Sequence, residues 1–120
     1  MIVVDTSVWV DHFRNGNDQL IRLLNDERVM VHSFVTGELA CGNLKNRDEI
    51  LSLLQTLPRP ATADDGEMLE FIKINRLMGK GIGFIDMHLL ASCVLSQASL
   101  FTLDKRLDEA ALRLDVKYRL

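Results

Sequence analysis

The 120-residue chain is 48% hydrophobic, which suits one domain spanning residues 1–120 with a core of its own. Its net charge of −3 argues against wholesale electrostatic binding to nucleic acid, although an acidic site can hide a local basic rim. No apolar run approaches the roughly 20 residues of a membrane span, and no basic start or small-residue cleavage site marks a signal peptide. Cys41 and Cys93 lack metal-ligand spacing and read as buried free thiols, so the expected location is reducing and cytoplasmic.

In chain order, Met1–Asp5 reads as a short buried strand, β-branched and closed by an acid. Thr6 or Ser7 is placed to cap the helix that carries Val8, Trp9, Val10 and Phe13. Asn15-Gly16-Asn17 marks a turn, and Leu20, Ile21 and Leu24 give one apolar face to a helix over Asp18–Asn25. Val29–His32 reads as a second strand, with Ser33 as the cap of a helix reaching Leu44. A further helix over Arg47–Leu57 ends at Pro58 and Pro60. Ala63–Met78 is helical by pattern, and Gly79-Lys80-Gly81-Ile82-Gly83 breaks it. Phe84–Leu95, apolar almost all round, is expected as a central buried helix. Strand Ser99–Leu103, helix Asp104–Leu114 and strand Val116–Tyr118 close the pattern. Strands alternating with helices imply an α/β fold, its central, mostly parallel sheet flanked by helices.

Four acids stand out against this frame. Asp5, Asp86 and Asp104 end an apolar run or open a helix in MIVVD, FID and LFTLD, and Glu38 lies just inside the helix after the second strand. Open α/β proteins gather their chemistry at the carboxyl ends of parallel strands. Carboxylates converging there repel one another unless a cation neutralises them, and hard divalent ions prefer such oxygen ligands. Each acid has an ordinary alternative: a turn acid for Asp5, a polar surface position for Glu38, a helix-dipole partner for Asp86, an N-cap for Asp104. Their shared position relative to the sheet carries the argument for a metal-dependent site acting on phosphate.

The chain resembles the PIN domain family, and within it the VapC-type toxins of toxin–antitoxin pairs. The likeness spans the chain, through Ile2-Val3-Val4-Asp5-Thr6-Ser7, Thr36-Gly37-Glu38-Leu39, Gly83-Phe84-Ile85-Asp86-Met87-His88 and Phe101-Thr102-Leu103-Asp104. It implies the three-layer PIN fold and an endoribonuclease dependent on Mg²⁺ or Mn²⁺, with Asp5 and Asp86 as main ligands. Glu38 and Asp104 would complete the acidic pocket. Thr6 or Ser7 would support the first acid, Thr102 would assist, and Asp108 is the alternative to Asp104. The family's usual aromatic residue shortly after the last acid is absent, and Leu107 stands nearby. Products with a 5′-phosphate and a 3′-hydroxyl are implied too. So are an RNA substrate, a VapB-type antitoxin partner and a homodimer, with no membrane association.

The remaining polar residues point less sharply. Lys73, Arg76 and Lys80 are candidates for RNA phosphates or for a solvated helix face. The glycine-rich break lacks GxxxxGK[ST], which excludes a nucleotide-triphosphate loop. His88 is expected to pack rather than ligate, and His12 and His32 have no evident partners. Trp9, Phe13, Leu24 and Leu54 are candidates for partner contact or for core. A receiver-type signalling domain would need paired early acids and a phosphoacceptor on the middle strand, where this chain has Leu57-Pro58-Arg59-Pro60. A PIN-fold binding module without catalysis is the other alternative.

Overall fold

A computed structural model describes residues 1–119. Three strands, β1 (Ile2–Val4), β2 (Val29–Met30) and β3 (Ser99–Phe101), form a parallel sheet in the order β2-β1-β3. β1 is central, and all three of its side chains are buried, as parallel strands covered on both faces require. The chain leaves β1 for β2 on one side and later reaches β3 on the other. The carboxyl end of β1 is therefore the divergence point at which open α/β sheets bind ligands.

Among the described residues, seven helices flank the sheet: α1 (Thr6–Asn15), α2 (Asp18–Asn25), α3 (Ser33–Ala40), α4 (Arg47–Thr56), α5 (Asp65–Ile74), α6 (Phe84–Ser96) and α7 (Lys105–Arg113). α6 is the central buried helix that its composition predicts. Met87 to Cys93 are all buried on it, and it packs against both α5 and β3. The core joins β1 to Leu20, Leu23, Val35, Met68, Leu77, Leu89, Leu90 and Leu107.

Several boundaries differ from the sequence reading, each for a local reason. α1 starts at Thr6 with Asp5 in the N-cap position, so neither Thr6 nor Ser7 caps it. α3 is capped by His32 rather than Ser33, its side chain accepting from the Phe34 N–H at 2.9 Å. That helix stops at Ala40, four residues short of Leu44, and the Arg47 guanidinium donates to the carbonyls of Ala40 and Gly42. α5 begins at Asp65 because Asp64 and Glu67 form a reciprocal capping box. It ends at Ile74, with Arg76 just beyond in the left-handed region at φ 53°. Val116–Tyr118 is not a full strand. The chain turns at Asp115 (φ 58°) and makes one parallel bridge, Leu100 to Lys117, on the outer edge of β3.

Candidate functional site

The four acids are carried by four elements. Asp5 follows β1, Glu38 lies on α3, Asp86 is the third residue of α6, and Asp104 caps α7. Asp5 is buried at 5% exposure, Asp86 is half-buried, and Glu38 and Asp104 are exposed. Two inner carboxylates thus sit beneath two outer ones.

Asp5 is held by hydroxyls rather than by cations. Ser7 Oγ and Thr102 Oγ1 both donate to Asp5 Oδ2, each at 2.7 Å. Thr102 Oγ1 accepts from the Asp104 N–H at 3.0 Å, and Ser7 Oγ accepts from the Leu103 N–H at 3.0 Å. The ends of β1 and β3 are thereby tied into one polar network. Thr6 serves a different acid, donating to Glu38 Oε1 at 2.7 Å. Of the two hydroxyls offered as support for the first acid, Ser7 makes that contact and Thr6 steadies Glu38.

Burial and like charge act together on Asp86. Asp86 is pushed up to about 6, first by burial and then by the negative charges of Asp5, Asp104 and Glu38. The favourable field at the start of α6 does not offset this. The sole ion pair among the described residues joins Lys117 to Asp108 at 2.8 Å, so none of the four acids has a cationic partner there. Asp108, the alternative to Asp104, is the acid of that pair. Asp104 lies within the electrostatic reach of Asp86, while its Oδ1 also accepts from the Arg106 and Leu107 N–H groups.

A divalent ion fits this donor chemistry, which is all carboxylate and hydroxyl oxygen. Among the described residues, no three His, Cys, Asp or Glu side chains are grouped tightly enough to clasp one ion. Beside Glu38 and Thr6 opens a cavity of about 650 Å³, with Arg14 and Lys45 on its far rim.

The other sequence candidates fall into place around this centre. His88 is buried between Phe34 and Phe84, ring centroids 4.8 and 4.7 Å away, and so packs as expected. His12 and His32 do have partners. His12 Nδ1 accepts from the Asn17 N–H, and His32 caps α3 with its pKa lowered to about 4, by burial and then by His88. No sequence signal beyond their positions at helix ends pointed to these roles. Trp9, Phe13, Leu24 and Leu54 line one apolar groove of about 320 Å³, in which Trp9 and Leu54 are themselves buried. Cys93 is a buried thiol, while Cys41 is exposed, contrary to the buried reading. Lys73 and Arg76 are solvent-exposed, whereas Lys80 lines a small cavity with Arg106 and Arg113. No helix is long and apolar enough to cross a membrane.

Comparison with known proteins agrees with this architecture. A model of the PIN domain matches residues 2–112. Two proteins named Ribonuclease VapC32, from Mycobacterium tuberculosis strains CDC 1551 / Oshkosh and ATCC 25618 / H37Rv, are each 42% identical over 111 residues. The match covers 92% of this chain and 90% of each relative.

Proposed function

This chain belongs to the PIN domain family, and from that premise we propose that it is a metal-dependent endoribonuclease, the toxin of a VapBC-type pair. The observation that carries the reading is that Asp86 feels the negative charges of Asp5, Asp104 and Glu38, while none of the four has a cationic partner among the described residues. Its likeness to a protein named as a ribonuclease supports RNA as substrate.

Asp5 and Asp86 are the residues to hold the ion, with Glu38 and Asp104 completing the pocket. Ser7 and Thr102 fix the Asp5 carboxylate in one orientation, so it needs little reorganisation when a cation arrives. Thr6 does the same for Glu38 at the rim, where an attacking water would enter. Asp86 has no side-chain donor among the described residues and is the acid most relieved by a positive charge. When bound, Mg²⁺ or Mn²⁺ lowers the pKa of an attacking water and stabilises charge developing on the phosphate. The outer pair would aim that water in line with the scissile bond.

A protein partner fits the groove of Trp9, Phe13, Leu24 and Leu54. The indole Nε1 of Trp9 is buried without a hydrogen-bond partner among the described residues, and neighbouring Leu53 is 59% exposed. An antitoxin segment laid there would cover apolar surface and run towards the acidic pocket. Pairing of two toxin chains belongs to the same reading, as does action in the cytoplasm.

The deciding experiment incubates purified, partner-free protein with total RNA, with and without Mg²⁺ or Mn²⁺, beside an Asp5→Asn control. Discrete fragments that need both metal and Asp5 are expected. A folded protein that leaves RNA whole in either metal would return the chain to a non-catalytic binding role.

A further inference from the structure

Lys80, Arg106 and Arg113 line a cavity of about 140 Å³ between the segment entering α6 and the length of α7, with Ile82 and Ala110 beside them. Glu109 is the one acid on its wall, so the cavity carries three positive charges against one negative. None of the three cations forms an ion pair among the described residues. In a chain of net charge −3, such a gathering is not a by-product of composition.

The backbone is shaped to allow it. Gly81 has φ +74°, and a Cβ placed there would lie 2.4 Å from Nη1 of Arg106 and 3.1 Å from its Cζ. The guanidinium therefore rests in the space a side chain at position 81 would occupy. Arg113 is steadied by donating to the Asn75 carbonyl at 3.3 Å. Three cations from two separate segments meet over a glycine that keeps room for one of them.

The location links this cavity to the acidic quartet. Arg106 is two residues beyond Asp104, whose Oδ1 accepts from the Arg106 N–H at 2.9 Å. Lys80 and Gly81 lead directly into Gly83, the N-cap of the helix that bears Asp86. The cavity is far smaller than the roughly 300–1,000 Å³ pockets that take drug-sized ligands, so it suits a phosphate group rather than a base. Guanidinium groups match phosphate oxygens through paired N–H donors.

We propose that Lys80, Arg106 and Arg113 form a docking site for one backbone phosphate of the RNA, positioning the strand across the neighbouring acids. The inference rests on the reading of the chain as a ribonuclease. The quartet repels the strand it has to cleave, and a separate basic contact holds that strand in place without neutralising the acids. The site reads backbone, not sequence, so its loss weakens all single-stranded RNAs alike.

The test measures binding of a fluorescein-labelled single-stranded RNA to the Asp5→Asn protein across a KCl series. Into this background go Arg106→Gln, Gly81→Ala and, as a charge-matched control on α2, Arg22→Gln. Arg106→Gln is expected to raise Kd about tenfold, near the lower end for a charged hydrogen bond. If the phosphate contact is lost, the slope of log K against log salt becomes shallower by about 0.7, the value per contact for single strands. Gly81→Ala leaves net charge unchanged but displaces the guanidinium and strains the backbone at φ +74°, and is expected to weaken binding beyond Gly79→Ala, which is strained alike at φ +70° with open space around it. Thermal melts of each variant confirm that it is folded.

Equal effects from Arg22→Gln and Arg106→Gln would overturn the proposal in favour of general electrostatics. Unchanged affinity in Arg106→Gln and Gly81→Ala would overturn it outright. Failure of the ribonuclease reading shows differently, as absence of metal-dependent cleavage by the protein with Asp5 intact. In that protein, Arg106→Gln is expected to raise KM with kcat nearly unchanged, the signature of uniform binding lost.

Discussion

The acidic quartet and the basic cavity each gather like charges, with Asp104 of the first only two residues before Arg106 of the second, and they do so by different means. Asp5 is buried and locked by two hydroxyls, and Asp86 is half-buried and raised to about 6. Lys80, Arg106 and Arg113 are exposed, on long side chains that can swing apart. Buried repulsion is fixed by the fold and is felt as lost stability. Exposed repulsion is screened and relaxes, so it is felt mainly when a counterion binds. The acids should therefore govern both stability and cleavage, the cations only binding.

The largest effect expected on this view is on cleavage. Asp5→Asn or Asp86→Asn should cut the metal-dependent rate by roughly a hundredfold or more, since both catalysis by the ion and its placement are lost. In metal-free buffer Asp86→Asn should nonetheless raise the melting temperature, because it removes a half-buried, repelled charge. Calorimetry in EDTA checks this. A lower melting temperature for that variant would break the contrast between the two regions.

His32 tests how firmly the acidic side is fixed. Its imidazole is lowered to about 4 and accepts the Phe34 N–H at the start of the helix bearing Glu38. The folded state favours the neutral ring, so this stability is complete above about pH 6.5 and is lost as pH falls towards 4. The full gap corresponds to roughly 3 kcal/mol. Asp86 has the opposite sign, since its raised pKa makes metal-free stability fall as pH rises from 3.8 to about 6. Denaturant melts in the Asp86→Asn background isolate the histidine. Adding His32→Gln should flatten the acid limb.

Next in size is stabilisation by the ion. Mn²⁺ at a hundred times its dissociation constant should add about 2.7 kcal/mol to EDTA-stripped protein. Asp5→Asn should lose most of that gain, while Arg106→Gln keeps it. A smaller change is expected at Thr102, which donates to Asp5 and accepts from the Asp104 N–H. Thr102→Val should destabilise by roughly 1–3 kcal/mol and slow cleavage, and Thr102→Ser should recover much of both. Smallest of all, Lys80→Gln should shift stability by no more than about 0.5 kcal/mol, as exposed charges usually do.

The partner groove offers an independent optical check. Trp9 is the single tryptophan of the chain. An antitoxin peptide that covers the groove should change its emission, and Leu53→Glu should abolish the change. An unaltered spectrum on tight binding would place the partner elsewhere.

Much of this organisation was legible along the chain. A β-branched run marked β1, shorter apolar runs marked β2 and β3, and the all-apolar stretch from Phe84 marked the buried helix, because burial on every side leaves no polar stripe. The four acids were visible as charges interrupting apolar segments. Their convergence was only an expectation from strand order. Capping and pairing were not legible. Whether Ser7 or Thr6 supports Asp5 depends on which hydroxyl points along the sheet edge, and local sequence leaves that open. Asp108 stood as the alternative to Asp104, and its ion pair with Lys117 had no signal in the local sequence. Gly81 and Arg106 lie 25 residues apart, and no pattern joins them. Periodicity and residue type determined the elements, because burial acts on neighbours in sequence. Only tertiary structure decided which hydroxyls, caps and cations stand beside the acids, because charges and hydrogen bonds act through space between residues the chain keeps far apart.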